Sequence, residues 1–231
     1  MRKWYSNDDL RIMILTRLQE EPVLDGFILR KTWEGLYMRD RLGWYEISIA
    51  NSRPSVDLQR DSQLSLCVTP GYGRRFNVLS HWFKEFLRDP RDESRWFTVS
   101  RGHQGIPLWV DFLRTGQGFE DDLKTLCGII SNESFPFFAE YRTIEDFYEK
   151  VVRPGISGES ALRGDTDSWI FEWLMATRIV EPRSYPLAKN KLIDWALNSS
   201  LPISSIFKDG YYKRLPEIIS ALESFDYTKM V

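Results

Sequence analysis

The spacing of apolar residues changes along this 231-residue chain, and that change limits the possible folds more than any other feature. Near the N-terminus, apolar residues recur at helical spacing until Pro22 ends the pattern: Leu10, Met13, Ile14 and Leu18. Between residues 26 and 68 apolar and polar residues alternate instead, as in strands that place one face on a core. Beyond residue 77 helical spacing dominates. We therefore predict an α+β fold in which an antiparallel β-sheet meander is packed with helices and followed by a helical C-terminal region.

Several local signals place elements beyond the predicted meander. Residues 71–73, Gly-Tyr-Gly, predict a loop, and Asn77 is a candidate cap for an amphipathic helix. The apolar face of that helix consists of Val78, Leu79, Trp82, Phe83, Phe86 and Leu87. Residues 95–100 predict a further strand, and a longer helix is predicted to begin near Phe119. Thr143 is predicted to cap a short helix that Pro154 ends.

Glycine, serine and charged residues interrupt the apolar rhythm at residues 155–166. We interpret that stretch as a linker or loop, which follows an α+β domain at residues 1–154. Residues 167–231 predict three helices. Their apolar stripes are short, so we expect this helical region to pack on the first domain rather than to be stable alone.

Charge and composition narrow the function classes. The chain has 31 basic and 33 acidic side chains and a net charge of -2, which argues against broad attraction to nucleic-acid phosphates. No apolar run reaches the roughly 18 residues needed to cross a bilayer, and the N-terminus lacks a secretory pattern. Cys67 and Cys127 both fall in apolar patterns, which predicts two buried thiols. The sequence therefore predicts a cytoplasmic protein.

Residues that commonly perform chemistry are scarce. His81 and His103 are the two histidines, and neither is close in sequence to a cysteine. His81 lies four residues before Glu85, which is typical of an exposed helix pair. No serine elbow, phosphate-binding loop or metal-ligand spacing is present in the sequence. We predict no cofactor, no metal and no catalytic residue, and we favour binding over catalysis.

An anion site is the main alternative that the sequence leaves open. His103 lies in a polar, glycine-flanked segment that follows a predicted strand, where functional side chains are often displayed. If Arg101 and His103 converge with Arg74 and Arg75, guanidinium and backbone N–H groups would surround a small anion. The alternative function is therefore a small enzyme or a receptor for an anionic ligand.

Three tryptophans and three acidic residues are candidates for binding a partner. Trp33, Trp44 and Trp109 each adjoin polar or turn residues, and tryptophan is a frequent interface anchor. An acidic cluster opens the helix near residue 119 and is a candidate docking face for a basic partner. It consists of Glu120, Asp121 and Asp122.

The order of these segments resembles a sequence-diverse group of uncharacterised bacterial α+β domains, some of them encoded beside toxins and suspected to be immunity proteins. Besides the opening helix, the resemblance rests on residues 26–31 (GFILRK), 37–39 (YMR), 44–50 (WYEISIA) and 75–83 (RFNVLSHWF). It covers about the first 150 residues. It implies a cytosolic bacterial protein that neutralises a cognate toxin by direct protein–protein contact, and it carries no catalytic residues to transfer. A third interpretation is a subunit of a larger assembly.

Overall fold

The computed structural model describes residues 7–31, 35–51, 65–86, 97–111, 117–162, 169–198 and 210–230. Contacts divide the chain into two compact units. The first unit contains Met1–Arg39, Tyr45–Gly73 and Ser100–Ala139, and the second contains Asp40–Trp44, Arg74–Val99 and Glu140–Val231. The linker predicted at residues 155–166 therefore falls inside the second unit.

A six-stranded antiparallel sheet confirms the predicted α+β class. Its strands are β1 (Ile28–Arg30), β2 (Gly35–Arg39), β3 (Gly43–Asn51), β4 (Ser65–Phe76), β5 (Val99–Gly102) and β6 (Leu108–Asp111). Neighbouring strands follow the order β1-β2-β3-β4-β5, and β6 pairs with β4. Ile28 lies opposite Tyr37 in the β1–β2 pair, and Cys67 lies opposite Trp109 in the β4–β6 pair. The meander was predicted, whereas β6 was not.

Helices precede, interrupt and follow the sheet strands in the chain. They are α1 (Asn7–Gln19), α2 (Asn77–Ser80), α3 (Gln117–Glu140), α4 (Ile144–Phe147), α5 (Arg153–Ser157), α6 (Trp169–Val180), α7 (Tyr185–Asn198) and α8 (Leu215–Ser224). A 3₁₀ turn at His81–Phe86 continues α2, and a π-helical turn at Tyr148–Val152 joins α4 to α5. The helical C-terminal region is thus confirmed.

The first unit buries one face of α1 and one face of α3. On α1 the buried residues are Leu10, Ile14, Leu15 and Leu18, whereas Met13 faces solvent, contrary to prediction. On α3 the four predicted inward residues are buried: Leu123, Leu126, Cys127 and Ile130. The ring of Phe138, farther along α3, packs against Phe27 and Tyr45 with centroid distances of 6.0 and 5.0 Å. These aromatic contacts tie α3 to β3 and to the residue that precedes β1 in the same unit.

The second unit is built around α6. Every residue from Trp169 to Thr177 is buried, so this helix has no solvent-facing stripe over that length. The ring of Phe171 stacks on Phe83 at 4.8 Å. The polar face predicted for residues 77–87 is exposed where it is described, at His81, Lys84 and Glu85. Val78, Leu79, Trp82, Phe83 and Phe86 of the apolar face are buried, as the amphipathic pattern predicts. Leu87 lies outside the described residues.

Two predicted boundaries were wrong. Residues 71–73 do not form a loop but continue β4, because the strand's ladder provides partners for their backbone groups. Pro154 does not end the helix after Thr143: it lies at the start of α5, which the π-helical turn at Tyr148–Val152 joins to α4. The helical segment ends instead at Gly158, whose φ of 92° is the left-handed conformation typical of a C-terminal glycine.

Two further boundaries moved by a few residues. The helix after β4 begins at Asn77 itself, with Phe76 in the preceding cap position. The strand predicted at residues 95–100 is observed as β5, at Val99–Gly102, and Arg95 and Trp96 lie outside the described residues. Within the described part of the chain, no helix combines the length and apolarity needed to cross a membrane.

Candidate functional site

The segment 101–109, which we call the edge segment, is a largely exposed part of the sheet region. It includes the end of β5, the connection to β6 and the first residues of β6. Six of its nine residues are exposed. Ile106 is 89% exposed and Trp109 is 37% exposed. The first unit therefore presents a guanidinium, an aliphatic side chain and an indole from one short stretch.

A chain of hydrogen bonds fixes His103 within this segment. The Nδ1 atom of its imidazole lies 2.6 Å from Oε1 of Glu133, on α3. The hydroxyl of Tyr72, on β4, donates to the other carboxylate oxygen at 3.1 Å. Burial, and after it the charge and hydrogen bond of Glu133, raise the pKa of the Tyr72 hydroxyl, so that it stays a donor. One carboxylate thus holds both an imidazole and a phenol.

The imidazole is also held sterically. Its side chain is only 10% exposed, and the His103 backbone N–H donates to the Pro70 carbonyl at 2.9 Å. A Cβ built on Gly105 would lie 2.3 Å from Nε2 of the imidazole, so the ring rests against a position that only glycine can occupy without displacing it. His103 is therefore a positioned group rather than a mobile turn residue.

Arg101 shares the same attachment to α3. Its guanidinium carbon lies 5.2 Å from the ring centroid of Phe137, a cation–π contact. Phe137 follows Glu133 by four residues, so the two lie on one face of the helix. His103 follows Arg101 by two residues, directly after β5 ends at Gly102, and both side chains contact α3. The structure thus brings together two of the four predicted anion-site residues.

The other two predicted anion-site residues, Arg74 and Arg75, belong to the second unit. The Arg74 side chain is fully buried, donates to Oδ2 of Asp40 at 2.8 Å and lies 4.5 Å from the Phe76 ring centroid. Arg75 is also buried. The environment of Arg74 is that of a structural arginine whose charge is compensated inside the fold. The four-residue anion site stays a prediction.

The partner-binding candidates have mixed environments. Trp109 is exposed, Trp44 is half-buried, and Trp33 lies outside the described residues. Glu120 pairs with Arg17 of α1 at 2.8 Å, which compensates part of the acidic cluster. Asp121 is exposed and Asp122 is half-buried on the first turns of α3. Their role in docking stays a prediction.

The sequence interpretation missed three residues of this region: Glu133, Tyr72 and Ile106. Glu133 is 30 residues away from His103, and no local pattern links a mid-helix glutamate to a strand end. Tyr72 was assigned to a loop, so its contact with α3 was not considered. The exposure of Ile106 follows from the short connection between β5 and β6, and β6 itself was not predicted.

Among the residues that the structure describes, no group of three or more His, Cys, Asp or Glu side chains is arranged to hold a metal ion. Cys67 and Cys127 are buried as predicted, and neither forms a disulfide. Comparison with known proteins found no matching family model, no matching curated protein and no matching solved structure.

Proposed function

We propose that this protein works by binding another protein, and that the partner is a toxin domain which it neutralises by direct contact. The observation that carries the proposal is the composition of the exposed edge segment. Arg101, Ile106 and Trp109 supply the guanidinium, aliphatic and indole groups there. Arginine and tryptophan are enriched among the few residues that dominate interface free energies.

The backbone of the edge segment supports the same proposal. Among the described strands, β5 and β6 each have β4 as their neighbour. A strand at the border of a sheet directs N–H and C=O groups outward, where an extended segment of a partner can pair with them. Backbone hydrogen bonds to an edge of this kind provide affinity for a partner, while the neighbouring side chains provide specificity.

The rigidity of the segment favours tight association. The contacts of His103 with Pro70 and Glu133 fix its backbone and its side chain before any partner arrives. A surface that is already ordered loses less conformational entropy on binding than a flexible loop would. We infer that the edge segment is presented in a conformation ready for docking.

The partner class comes from the sequence resemblance to domains encoded beside toxins. In such a mechanism the inhibitor occludes the toxin by shape and charge and needs no cofactor. The exposed Asp121 provides negative charge in the same unit, which would steer a basic partner during encounter. Cytoplasmic location in a bacterium belongs to the same proposal.

The experiment is a binding measurement with the product of the adjacent gene. We expect co-expression to give a stoichiometric complex, and we expect Trp109→Ala and Ile106→Ser each to weaken its affinity by more than tenfold, or about 1.4 kcal/mol. Leu187→Ser is the matched control, because Leu187 is an apolar residue that is 68% exposed in the second unit. Absence of a complex, or equal weakening by the control, would refute the proposal.

A further inference from the structure

We propose that a bulge at residues 104–107 prevents the sheet edge formed by β5 and β6 from pairing with the same edge of a second copy of this chain. The two strands pair with successive stretches of β4. Among the described strands, neither has a second neighbour. The proposal does not depend on the toxin partner, because it concerns the association of the chain with itself.

The size of the bulge follows from the pairing of both strands with β4. At the end of β5, the His103 backbone N–H donates to the Pro70 carbonyl. At the start of β6, Leu108 lies opposite Val68. Four residues, 104–107, therefore lie between these two positions on the edge, whereas a single residue lies between them on β4. The three extra residues shift the register, so a straight strand aligned with β5 is misaligned with β6.

Without the bulge this edge would be long and prone to pairing. The strands β5 and β6 have four residues each, and joined they would exceed the roughly five to six residues of a typical strand. Trp109 and Val110 of β6 are residue types that favour strands. A long exposed edge is a template for pairing with another chain. The bulge divides it into two short arms, each of which can still pair with a short strand of a different protein.

The bulge also occupies or lacks backbone groups that a second copy would need. The His103 N–H points towards β4, so the Gly102 carbonyl of the same peptide points away from β4, towards the open edge. The side-chain amide of Gln104 donates to that carbonyl at 3.1 Å. Pro107, directly before β6, has no N–H to donate. A second copy would therefore find this acceptor already hydrogen-bonded and no donor at Pro107.

Contacts with α3 and β4 hold the bulge in place. Removing it would require β5 or β6 to slide along β4 by three residues. For β5, such a shift would separate Nδ1 of His103 from Oε1 of Glu133, which lie 2.6 Å apart, and would break the hydrogen bond to Pro70. For β6, it would break the pairing of four residues with β4. The bulge is therefore a fixed feature of this edge.

A deletion of residues 105–107 tests the proposal. It leaves Gln104 alone opposite the single β4 residue, so that β5 and β6 can form one continuous edge strand. Sedimentation velocity of the whole protein over a concentration series should show self-association at least tenfold stronger than in the parent. The deletion also removes Ile106, which is 89% exposed, and that loss of apolar surface would by itself weaken association. A deletion variant that keeps the parent's near-UV circular dichroism and associates no more strongly would overturn the proposal.

A length-matched variant is the control for the deletion. Ile106→Ser combined with Pro107→Gly changes the same part of the chain but keeps the three extra residues, so it should associate no more strongly than the parent. Association as strong as that of the deletion variant would show that the length of the bulge is not what matters, and would contradict the proposal.

A second measurement uses the parent alone and does not require the deletion variant to fold. Hydrogen exchange at rising protein concentration should leave the amides of β5 and β6 unchanged. Slower exchange of these amides at high concentration would overturn the proposal, because it would show that copies of the chain pair at this edge despite the bulge.

Discussion

The buried carboxyl of Glu46 gives the sharpest stability prediction. Glu46 lies on β3 with 4% of its surface exposed, and its Oε2 atom has no hydrogen-bond partner. Gly35, on the neighbouring strand, leaves the space that the carboxyl fills: a Cβ there would lie 3.2 Å from Oε1. Burial raises the pKa of Glu46 from 4.5 to about 8, against the opposing effect of a hydrogen bond from Tyr37. At neutral pH the folded protein therefore keeps this group protonated.

The magnitude follows from the two pKa values. One pKa unit corresponds to about 1.4 kcal/mol, so ionising Glu46 in the folded state costs up to about 5 kcal/mol more than in the unfolded chain. The raised pKa means that the folded state binds the proton more tightly, so its stabilising effect is complete below pH 4.5 and is lost as the pH rises towards 8. Between pH 5 and pH 8 the loss amounts to about 3–4 kcal/mol.

Glu46→Gln removes the ionisation and keeps the size of the side chain. Urea unfolding of the parent and the variant at pH 5, 6, 7 and 8 should show the free-energy difference moving in favour of the variant by about 3–4 kcal/mol across that range. Glu85→Gln, at an exposed carboxylate, controls for the loss of one negative charge. A difference between Glu46→Gln and the parent that stays constant from pH 5 to pH 8 would refute the reasoning.

Three further predictions concern local structure and association. Thr143→Ala removes a capping box in which the Thr143 hydroxyl accepts a hydrogen bond from the backbone N–H three residues on, at 3.1 Å. Urea unfolding should show a free energy of unfolding lower by about 1 kcal/mol, and an unchanged midpoint would contradict this. Gly155→Ala places a Cβ 2.4 Å from Cζ3 of Trp173, so unfolding should show a loss of roughly 1–3 kcal/mol, whereas wild-type stability would mean that the indole moves freely. Asp121→Asn with Asp122→Asn should slow partner association and flatten its salt dependence in stopped-flow measurements; a rate insensitive to both changes removes the acidic cluster from docking.

Elements with a long, consistent apolar period were predictable from the sequence. On α3, Leu123, Leu126 and Ile130 recur at helical spacing, and all three are buried. The capping box at Thr143 was read from its local sequence for the same reason, since its hydrogen bonds join residues three apart. In both cases the determining contacts are local, or depend only on which helix face is apolar.

Elements that depend on pairing with distant residues were less predictable. Gly71 and Gly73 are typical of turns, yet β4 continues through them because neighbouring strands satisfy its backbone. The short strand β6 has only four residues, and its pairing with Cys67 and Val68 is not encoded in its own pattern. Tertiary hydrogen bonding overrides local propensity at these positions.

Some features of the candidate site were predictable from the sequence, whereas others depend on tertiary contacts. Its display on a glycine-flanked segment after a strand was predictable, because that is a property of residues 100–105. The partners of His103 were not, because Glu133 and Tyr72 reach it only through the packing of α3 on β4 and β5. Arg74 was predicted as a ligand-binding arginine, but its buried pair with Asp40 depends on a turn 34 residues away.

Hydrogen exchange of the complex tests the central proposal most directly. Backbone amides of the edge segment, residues 101–109, should exchange more slowly when the adjacent-gene partner is bound, because a docked partner would cover β5 and β6 and pair with their outward-facing groups. Amides of α7, which carries the exposed Leu187, should exchange at the same rate in the free and bound protein. A stable complex in which protection falls on α7 and spares residues 101–109 would contradict the account.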